Sequence, residues 1–193
     1  FDMGGTTAKA GAVCGGTPEA VGEYEVAGRV HMGRLVKGSG YPVRFPFVDL
    51  AECSSGGGTI AWADEGGVLR VGPTSAGADP GPACYGRGTD ATVTDANLIL
   101  GYVPADYFLG GEMTLDAKAS KRAMKTLADK LHINEIEVAE SIFRTVNANM
   151  ATKITEVSTK RGYDVRNCVM IAGGGPAGLH PCPRPLTSRP RGW

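Results

Sequence analysis

Net charge, long apolar runs and paired cysteines are all missing from this 193-residue sequence. Twenty Lys and Arg residues balance twenty Asp and Glu residues, so the chain has no overall field that would attract nucleic acid or an anionic membrane. No apolar run approaches the roughly 20 residues that a membrane-spanning helix needs. The five cysteines are odd in number and form no C-x-x-C pair, which argues against a disulfide framework. These absences predict a cytoplasmic protein that has neither nucleic acid nor membrane as a partner.

Aromatic residues are also scarce, at 7% of the chain, whereas glycine is abundant, at 29 residues. Most of the glycines fall in short clusters without the period of collagen, so they indicate tight turns and close backbone approaches in a globular enzyme. A chain of this length suits one domain or a large part of one, and it buries roughly 70% of its unfolded surface.

Short strand-like runs dominate the first part of the sequence. Residues 8–13 and 23–26 have the composition of strands, and glycine and proline turn signals separate them. Residues 38–50 combine extended residues with prolines, which favours an edge strand or an ordered loop. Residues 72–97 show little periodicity and are predicted to form one long functional loop.

The last third of the sequence has helical periodicity. Thr114 is predicted to cap a first helix whose apolar residues recur every four positions. A second helix is predicted to begin near Asn134, with Glu137 completing a capping box, and to end at Gly162. Residues 168–172 are predicted to form a buried strand that runs into glycines. The order of these elements indicates an α/β or α+β domain.

The first glycine cluster (residues 2–7) has the composition of a phosphate-binding turn. A carboxylate at a strand end, Asp2, precedes Gly4, Gly5, Thr6 and Thr7. The glycines lack Cβ atoms, so backbone N–H groups can approach phosphate oxygens, and the hydroxyl groups add donors. Asp2 is predicted to be catalytic and to hold Mg²⁺, through water, against the phosphates. The competing interpretation is an ordinary tight turn that Asp2 caps.

The second glycine cluster (residues 56–59) consists of Gly56, Gly57, Gly58 and Thr59. Alone it is typical of a plain β-turn. Two separate clusters of glycines that each end in Thr are more informative, because two opposed hairpins that grip one polyphosphate would explain both.

The third glycine cluster (residues 173–175) consists of Gly173, Gly174 and Gly175, and residues 173–178 fit the dinucleotide pattern G-x-G-x-x-G. That pattern should open a βαβ unit with an acidic residue about 20 positions further on. The residues that follow are rich in proline and contain no Asp or Glu. A flavin or nicotinamide site is therefore disfavoured.

Four further side chains are weaker candidates. Asp79 and Asp95 flank the long loop and are either catalytic or turn caps. Cys84 is a candidate nucleophile without an assignable base. His180 follows the third cluster and either faces a ligand or is structural. No Cys, His and Asp set has the spacing of a structural zinc site.

These motifs together resemble the hydantoinase/oxoprolinase A-subunit family, which includes ATP-dependent N-methylhydantoinases, 5-oxoprolinases and subunits of acetone and acetophenone carboxylases. The most specific stretch runs from Ser75 to Asn97, because it is long and unlike any general nucleotide motif. The resemblance extends to about His180 and rests on residues 1–7, 40–46, 56–61, 75–86, 92–97 and 173–180.

The resemblance implies an α/β fold of the actin/sugar-kinase/Hsp70 type, in which ribonuclease-H-like halves clamp ATP between them. In such a fold the first cluster would hold the phosphates, the second would form another phosphate loop, and the third would border the nucleoside. The implied cofactors are ATP and Mg²⁺. The ATPase domain is expected to be incomplete and to span residues 1–180, with an irregular Pro/Arg-rich tail at 181–193.

The implied activity is the ATP-dependent opening of a cyclic amide after phosphoryl activation, with positioning and charge neutralisation supplying most of the rate. The alternative is the β subunit of an acetone or acetophenone carboxylase. Both imply a small-molecule substrate, a cyclic amide or a ketone, and a B-type partner subunit, so this chain alone is expected to be inactive. A third interpretation is a non-catalytic nucleotide-binding or assembly module whose glycines only shape turns.

Overall fold

The fold comes from a computed structural model that describes residues 1–27, 30–31, 34–35, 38–160 and 162–180. The chain divides into two compact units. Unit 1 comprises Phe1–Lys9 and Glu52–Trp193, and unit 2 comprises Ala10–Ala51. The predicted Pro/Arg-rich tail at 181–193 lies outside the described residues.

Strands are short and occupy the part of the chain before residue 76. They are β1 (Asp2–Met3), β2 (Ala8–Gly11), β3 (Val13–Cys14), β4 (Thr17–Pro18), β5 (Ala20–Val21), β6 (Tyr24–Val26), β7 (Val30–His31), β8 (Arg34–Leu35), β9 (Tyr41–Val43), β10 (Phe47–Val48), β11 (Leu50–Cys53), β12 (Thr59–Ala63) and β13 (Leu69–Ser75).

Helices follow the strands. The α-helices are α1 (Val93–Ile99), α2 (Ala117–Leu131) and α3 (Glu135–Lys160). Single 3₁₀ turns are formed by Ala83–Tyr85, Leu109–Gly111, Val165–Asn167 and Pro176–Gly178.

Unit 2 is a ribbon of nested antiparallel pairs. Strand β5 pairs with β10, β6 pairs with β9, and β7 pairs with β8, while β3 and β4 form a separate hairpin. Phe47 contacts the rings of Tyr24 and Phe45, with ring centroids 5.8 and 5.9 Å apart. None of its described residues is fully buried. Two-stranded ribbons without a buried face are only marginally stable, so we expect this unit to open more readily than unit 1.

Unit 1 contains the main hydrophobic core. Helices α1, α2 and α3 pack on one another, and β12 pairs with β13 in an antiparallel hairpin that contacts α2 and α3. Strand β1 pairs with β2 in a sheet of order β1-β2-β11. The core joins Met3 of β1 to apolar side chains of the helices, among them Val93, Met124, Val138, Ile142, Val146 and Met150.

The two predicted helices of the last third are present. The apolar row of α2 is buried at Ala119, Ala123 and Leu127. Its N-cap is Asp116 and not Thr114, because the Asp116 carboxylate accepts from two backbone N–H groups of the first turn.

The capping box predicted for α3 is confirmed. The Asn134 N–H donates to Glu137 at 3.1 Å, and the Glu137 N–H donates to Asn134 Oδ1 at 2.9 Å. Gly162, the predicted cap at the other end, has a φ of +73° and donates its N–H to Thr159. A positive φ at this position is typical of a helix C-terminus that ends in glycine.

Two further sequence predictions were wrong. Residues 93–97, placed in the long loop, belong to α1 (Val93–Ile99), which begins with a second capping box between Thr92 and Asp95. Residues 168–172 form no strand, and the side chains of Val169 and Ile171 are 93% and 81% exposed. An apolar run becomes a buried strand only where other elements cover it, and its composition does not show whether they do.

Candidate functional site

The first cluster is the turn between β1 and β2. Asp2 pairs with Lys9 and Met3 pairs with Ala8, and the Gly4 N–H donates to the carbonyl of Thr7 at 2.9 Å. Met3 is fully buried in the core, so the hairpin is anchored there while Gly5 and Thr6 are exposed at its tip. The turn therefore has an exposed tip, formed by Gly5 and Thr6, and a buried base at Met3.

The second cluster lies directly against the first. The N–H groups of Gly57 and Gly58 donate to the carbonyls of Gly4 and Gly5 at 3.0 and 2.5 Å. A Cβ atom on Gly56 would overlap the backbone of Thr6. Only glycine fits at this position, since no side chain has room between the two backbones.

The third cluster lies beside β1. The Met3 N–H donates to the carbonyl of Gly173 at 3.0 Å, and the Gly173 N–H donates to the carbonyl of Phe1 at 2.8 Å. Gly174 has a φ of +88°, and a Cβ atom there would overlap Oδ1 of Asp2 and the carbonyl of Met3. The structure thus brings all three clusters together around the β1–β2 hairpin, with the third against the Asp2 carboxylate.

The clusters differ in what their N–H groups contact. In the described part of the chain, the N–H groups of Gly5 and Thr6 donate to no acceptor, and neither do those of the exposed Gly174 and Gly175. In the second cluster, by contrast, every N–H group has one. Gly56 donates to Thr59 Oγ1 at 2.8 Å, and Thr59 donates to the carbonyl of Gly56 at 3.1 Å. Exposed donors without protein acceptors are what an anion-binding turn requires.

Ser75 adds a hydroxyl group to the tip of the first cluster. Strand β13 ends at Ser75, which pairs with Thr59, and its Oγ lies 3.5 Å from Oγ1 of Thr6. Sequence reasoning treated Ser75 only as the start of a family signature and assigned it no role. Its position at the head of the most specific stretch was the signal that pointed to it.

Asp95, a candidate catalytic carboxylate, is instead a buried structural hub. Its two oxygens accept hydrogen bonds from the backbone and hydroxyl of Thr92, from the N–H groups of Ala83 and Cys84, and from the hydroxyl of Ser120 at 2.6 Å. These bonds join the long loop to α1 and α2. A buried carboxylate with this many donors stabilises the fold and is closed to substrate.

The other weaker candidates have structural surroundings. Asp79 is exposed and forms an ion pair with Arg87 at 3.2 Å. Burial, and then the neighbouring Asp95 carboxylate, raises the pKa of the Cys84 thiol well above its usual range. The thiol is therefore protonated at neutral pH and a poor nucleophile.

His180 is fully buried between two helices. Its Nε2 lies 3.0 Å from Nδ2 of Asn97, its Nδ1 lies 3.2 Å from Oδ1 of Asn147, and its ring stacks on Phe143. Burial lowers the pKa of His180 to about 4, so the ring is neutral at pH 7. A neutral ring that donates from Nδ1 and accepts at Nε2 satisfies both contacts, which makes His180 a structural residue that attaches the end of the third cluster to α1 and α3.

Asp2 is the carboxylate that lies beside the exposed Gly174. Among the described residues, no group of three or more His, Cys, Asp or Glu side chains is arranged to hold a metal ion. The exposed Asp2 carboxylate nevertheless fits a Mg²⁺ ion of the kind that takes one protein carboxylate and completes its shell with water and phosphate oxygens.

No helix in the described residues is long and apolar enough to cross a membrane.

Comparison with known proteins gives one consistent family. The Hydantoinase/oxoprolinase family model matches residues 1–183. An uncharacterized protein of Methanocaldococcus jannaschii is 55% identical over 93% of this chain and 26% of its own length. The caprolactamase subunit alpha of Pseudomonas jessenii is 44% identical, and the acetophenone carboxylase gamma subunit of Aromatoleum aromaticum is 46% identical, each over 72% of this chain.

A solved structure shows the same fold. The crystal structure of the ATP-dependent caprolactamase from Pseudomonas jessenii superposes with a TM-score of 0.78 and 38% identity, over 93% of this chain and 24% of that one. The chain spans about a fifth to a quarter of the length of these relatives. The family predicted from the motifs is confirmed, and so is the α/β class, as part of a larger domain.

Proposed function

The chain belongs to the hydantoinase/oxoprolinase family, and we propose that its three glycine clusters form part of an ATP site in an ATP-dependent enzyme. The observation that carries this proposal is the pair of exposed N–H groups at Gly5 and Thr6, which have no acceptor among the described residues and belong to the same hairpin as Asp2. One hairpin, anchored in the core by Met3, thus carries both the donors for phosphate oxygens and a ligand for Mg²⁺.

Each cluster has its own part in this proposal. The N–H groups of Gly5, Thr6 and Thr7 and the two Thr hydroxyls bind phosphate oxygens, while Asp2 orients Mg²⁺ when the ion is bound. Gly173, Gly174 and Gly175 border the nucleoside in this proposal. Gly174 and Gly175 are exposed, and Gly174 lies against the Asp2 carboxylate.

The second cluster supports the first. Its four N–H groups already have acceptors, and two of those acceptors are the carbonyls of Gly4 and Gly5. Gly56, Gly57, Gly58 and Thr59 therefore set the position of the phosphate-binding tip from behind. The sequence also predicts that these residues contact phosphate directly, and that contact stays a prediction.

The reaction we propose is the opening of a cyclic amide. ATP transfers its γ-phosphoryl group to the amide oxygen, which makes the carbonyl carbon more electrophilic, and water adds to that carbon. The ring C–N bond then breaks, the nitrogen leaves as a protonated amine, and hydrolysis of the resulting acyl phosphate releases the carboxylate and inorganic phosphate. The support is the family itself and the 44% identity to a caprolactamase subunit. The ATPase part spans residues 1–180 in this proposal, and a B-type subunit is the partner, since two of the relatives are themselves named as subunits.

A second candidate is the carboxylation of a ketone. The acetophenone carboxylase subunit is 46% identical over 141 residues, against 44% over 142 residues for the caprolactamase subunit. These identities are too similar to favour one of the two reactions. The two reactions are distinguished by testing which substrate, a cyclic amide or a ketone, is turned over. A cytoplasmic location is part of both candidates and is supported by the free state of the four described cysteines.

Asp2→Asn tests the proposal in the intact protein. The change keeps the shape of the side chain but removes the charge that orients Mg²⁺, so we expect ATP-dependent turnover to fall roughly 100-fold or more. Asp106→Asn, at another exposed carboxylate, is the matched control and should retain turnover. Turnover is measured with a lactam or 5-oxoproline and, separately, with a ketone plus bicarbonate.

The outcomes distinguish the three interpretations. Lactam-dependent ATP hydrolysis supports the amide-opening reaction, and hydrolysis that needs ketone and bicarbonate supports the carboxylase. Titration calorimetry with MgATP that shows no binding to the wild-type protein leaves only the non-catalytic module. Equal turnover of Asp2→Asn and wild type contradicts the role of Asp2.

A further inference from the structure

The loop that follows β13 begins at Ser75, beside the tip of the first cluster. We propose that the Ser75 hydroxyl is a further phosphoryl ligand of this site and that it acts as a pair with the hydroxyl of Thr6. The inference rests on the proposed ATP site and adds to it a residue from a different part of the chain.

The distance between the two hydroxyl groups is the first reason. Oγ of Ser75 and Oγ1 of Thr6 are 3.5 Å apart, whereas a strong O–H···O bond has its oxygens about 2.7 Å apart. The two hydroxyls are therefore close without satisfying each other. A single oxyanion about 2.7 Å from each oxygen accepts from both at this spacing.

The direction of the Ser75 hydroxyl is the second reason. Its oxygen already accepts the N–H of Gly77 at 3.2 Å, so one lone pair is occupied from within the loop. Its O–H is directed at Oγ1 of Thr6, 3.5 Å away, and this bond is long enough for an anion to replace it as the acceptor. A hydroxyl that accepts on one side and donates on the other is prepared for an anion on the donating side.

Gly58 of the second cluster holds Ser75 at the tip. The Gly58 carbonyl accepts the N–H of Ala76 at 2.8 Å, and its own N–H donates to Gly5. A Cβ atom on Gly58 would lie 3.0 Å from the Gly5 carbonyl oxygen and 3.1 Å from Oγ of Ser75. Glycine at this position therefore lets the β13 end and the first cluster approach each other closely.

The chemistry of the pair selects an anion. The two hydroxyls and the exposed N–H groups of Gly5 and Thr6 can all donate hydrogen bonds. Several donors that converge from two elements suit the oxygens of a phosphoryl group, which accept several hydrogen bonds each.

An isosteric pair of variants tests the inference in the intact protein. Ser75→Thr keeps the hydroxyl, and Ser75→Val has the same shape as Thr without it, so any packing effect is shared. We expect the Kd for MgATP, measured by titration calorimetry, to be about fivefold to tenfold higher in Ser75→Val than in Ser75→Thr. Thr74→Val, at the preceding exposed position of β13, is the matched control and should bind like wild type.

Coupling to Thr6 completes the test. Thr6→Val weakens MgATP binding, and the double variant Thr6→Val/Ser75→Val should bind more tightly than the product of the two single losses predicts, because the pair shares one oxyanion. Equal Kd values for Ser75→Val and Ser75→Thr, together with weakened binding by Thr6→Val, overturn the role of Ser75 and leave the ATP site standing. A wild-type protein that binds no MgATP overturns the site and the inference together.

Discussion

The first and second glycine clusters both contain Gly-Gly-Thr, yet the backbone N–H groups of the second glycine and the threonine in this motif have opposite surroundings. At the tip of the first cluster, Gly5 and Thr6 are exposed and donate to no described acceptor. In the second, residues 56–59 are buried and each N–H group has an acceptor. A glycine cluster is therefore an open turn or a structural support according to its neighbours, although the residue types are the same.

Alanine substitution of glycine separates the two clusters most strongly. Gly56→Ala forces a Cβ atom into the backbone of Thr6, so we expect the free energy of unfolding to fall by about 3 kcal/mol or more. The matched change Gly5→Ala meets nothing within 4 Å and should alter stability by less than about 0.5 kcal/mol. Urea unfolding of both variants measures the difference. Equal losses would show that the two clusters are packed alike.

A pH series extends the comparison to the support of the third cluster. Burial lowers the pKa of His180 from 6.5 to about 4, so the unfolded chain binds a proton more readily than the folded one between these values. This contribution to stability is complete above pH 6.5 and is lost as the pH falls towards 4.

His180→Gln isolates that contribution. We expect the free energy of unfolding of the wild type to fall by roughly 2 to 3 kcal/mol more than that of His180→Gln between pH 7 and pH 4.5. Urea unfolding at the two pH values provides the measurement. Parallel losses in the two proteins would mean that His180 titrates alike in the folded and unfolded states.

The threonines of the two clusters give the smallest contrast. Thr59→Val removes the Oγ1 that accepts the buried Gly56 N–H, so an unsatisfied donor should lower stability by about 1 to 2 kcal/mol. Thr6→Val changes an exposed hydroxyl and should lower it by less than about 0.5 kcal/mol. Thermal unfolding of the two variants side by side tests this. A larger loss of stability in Thr6→Val than in Thr59→Val would contradict the assignment of the second cluster as the support and the first as the exposed tip.

Helices with a strong local signal were predictable. The capping box at Asn134 and Glu137 and the four-residue apolar row of α2 depend on neighbours within one or two turns. Helix α1 was missed although its capping box is of the same kind, because only seven residues separate the glycine-rich loop from the next turn. A helix this short depends on packing, which Asp95 supplies through bonds to the loop and to α2.

The candidate site was predictable in part. The composition of the first cluster and the family signature indicated phosphate binding and named the residues. The contact of Ser75 with Thr6 and the buried state of Asp95 were not predictable, since each depends on residues that lie 25 or more positions apart, as in the pairs Ser75–Thr6 and Asp95–Ser120.

The sequence by itself determined the family, the α/β class and the first glycine cluster as the best candidate for a phosphate-binding turn. Only the tertiary structure decided which cluster is exposed and which one holds another in place. The second cluster supports the first because Gly57 and Gly58 donate to Gly4 and Gly5, and the tip of the first is open because nothing described accepts the N–H groups of Gly5 and Thr6. The physical reason is that a glycine in the sequence shows where two backbones can approach closely. It does not show which distant part of the chain makes that approach.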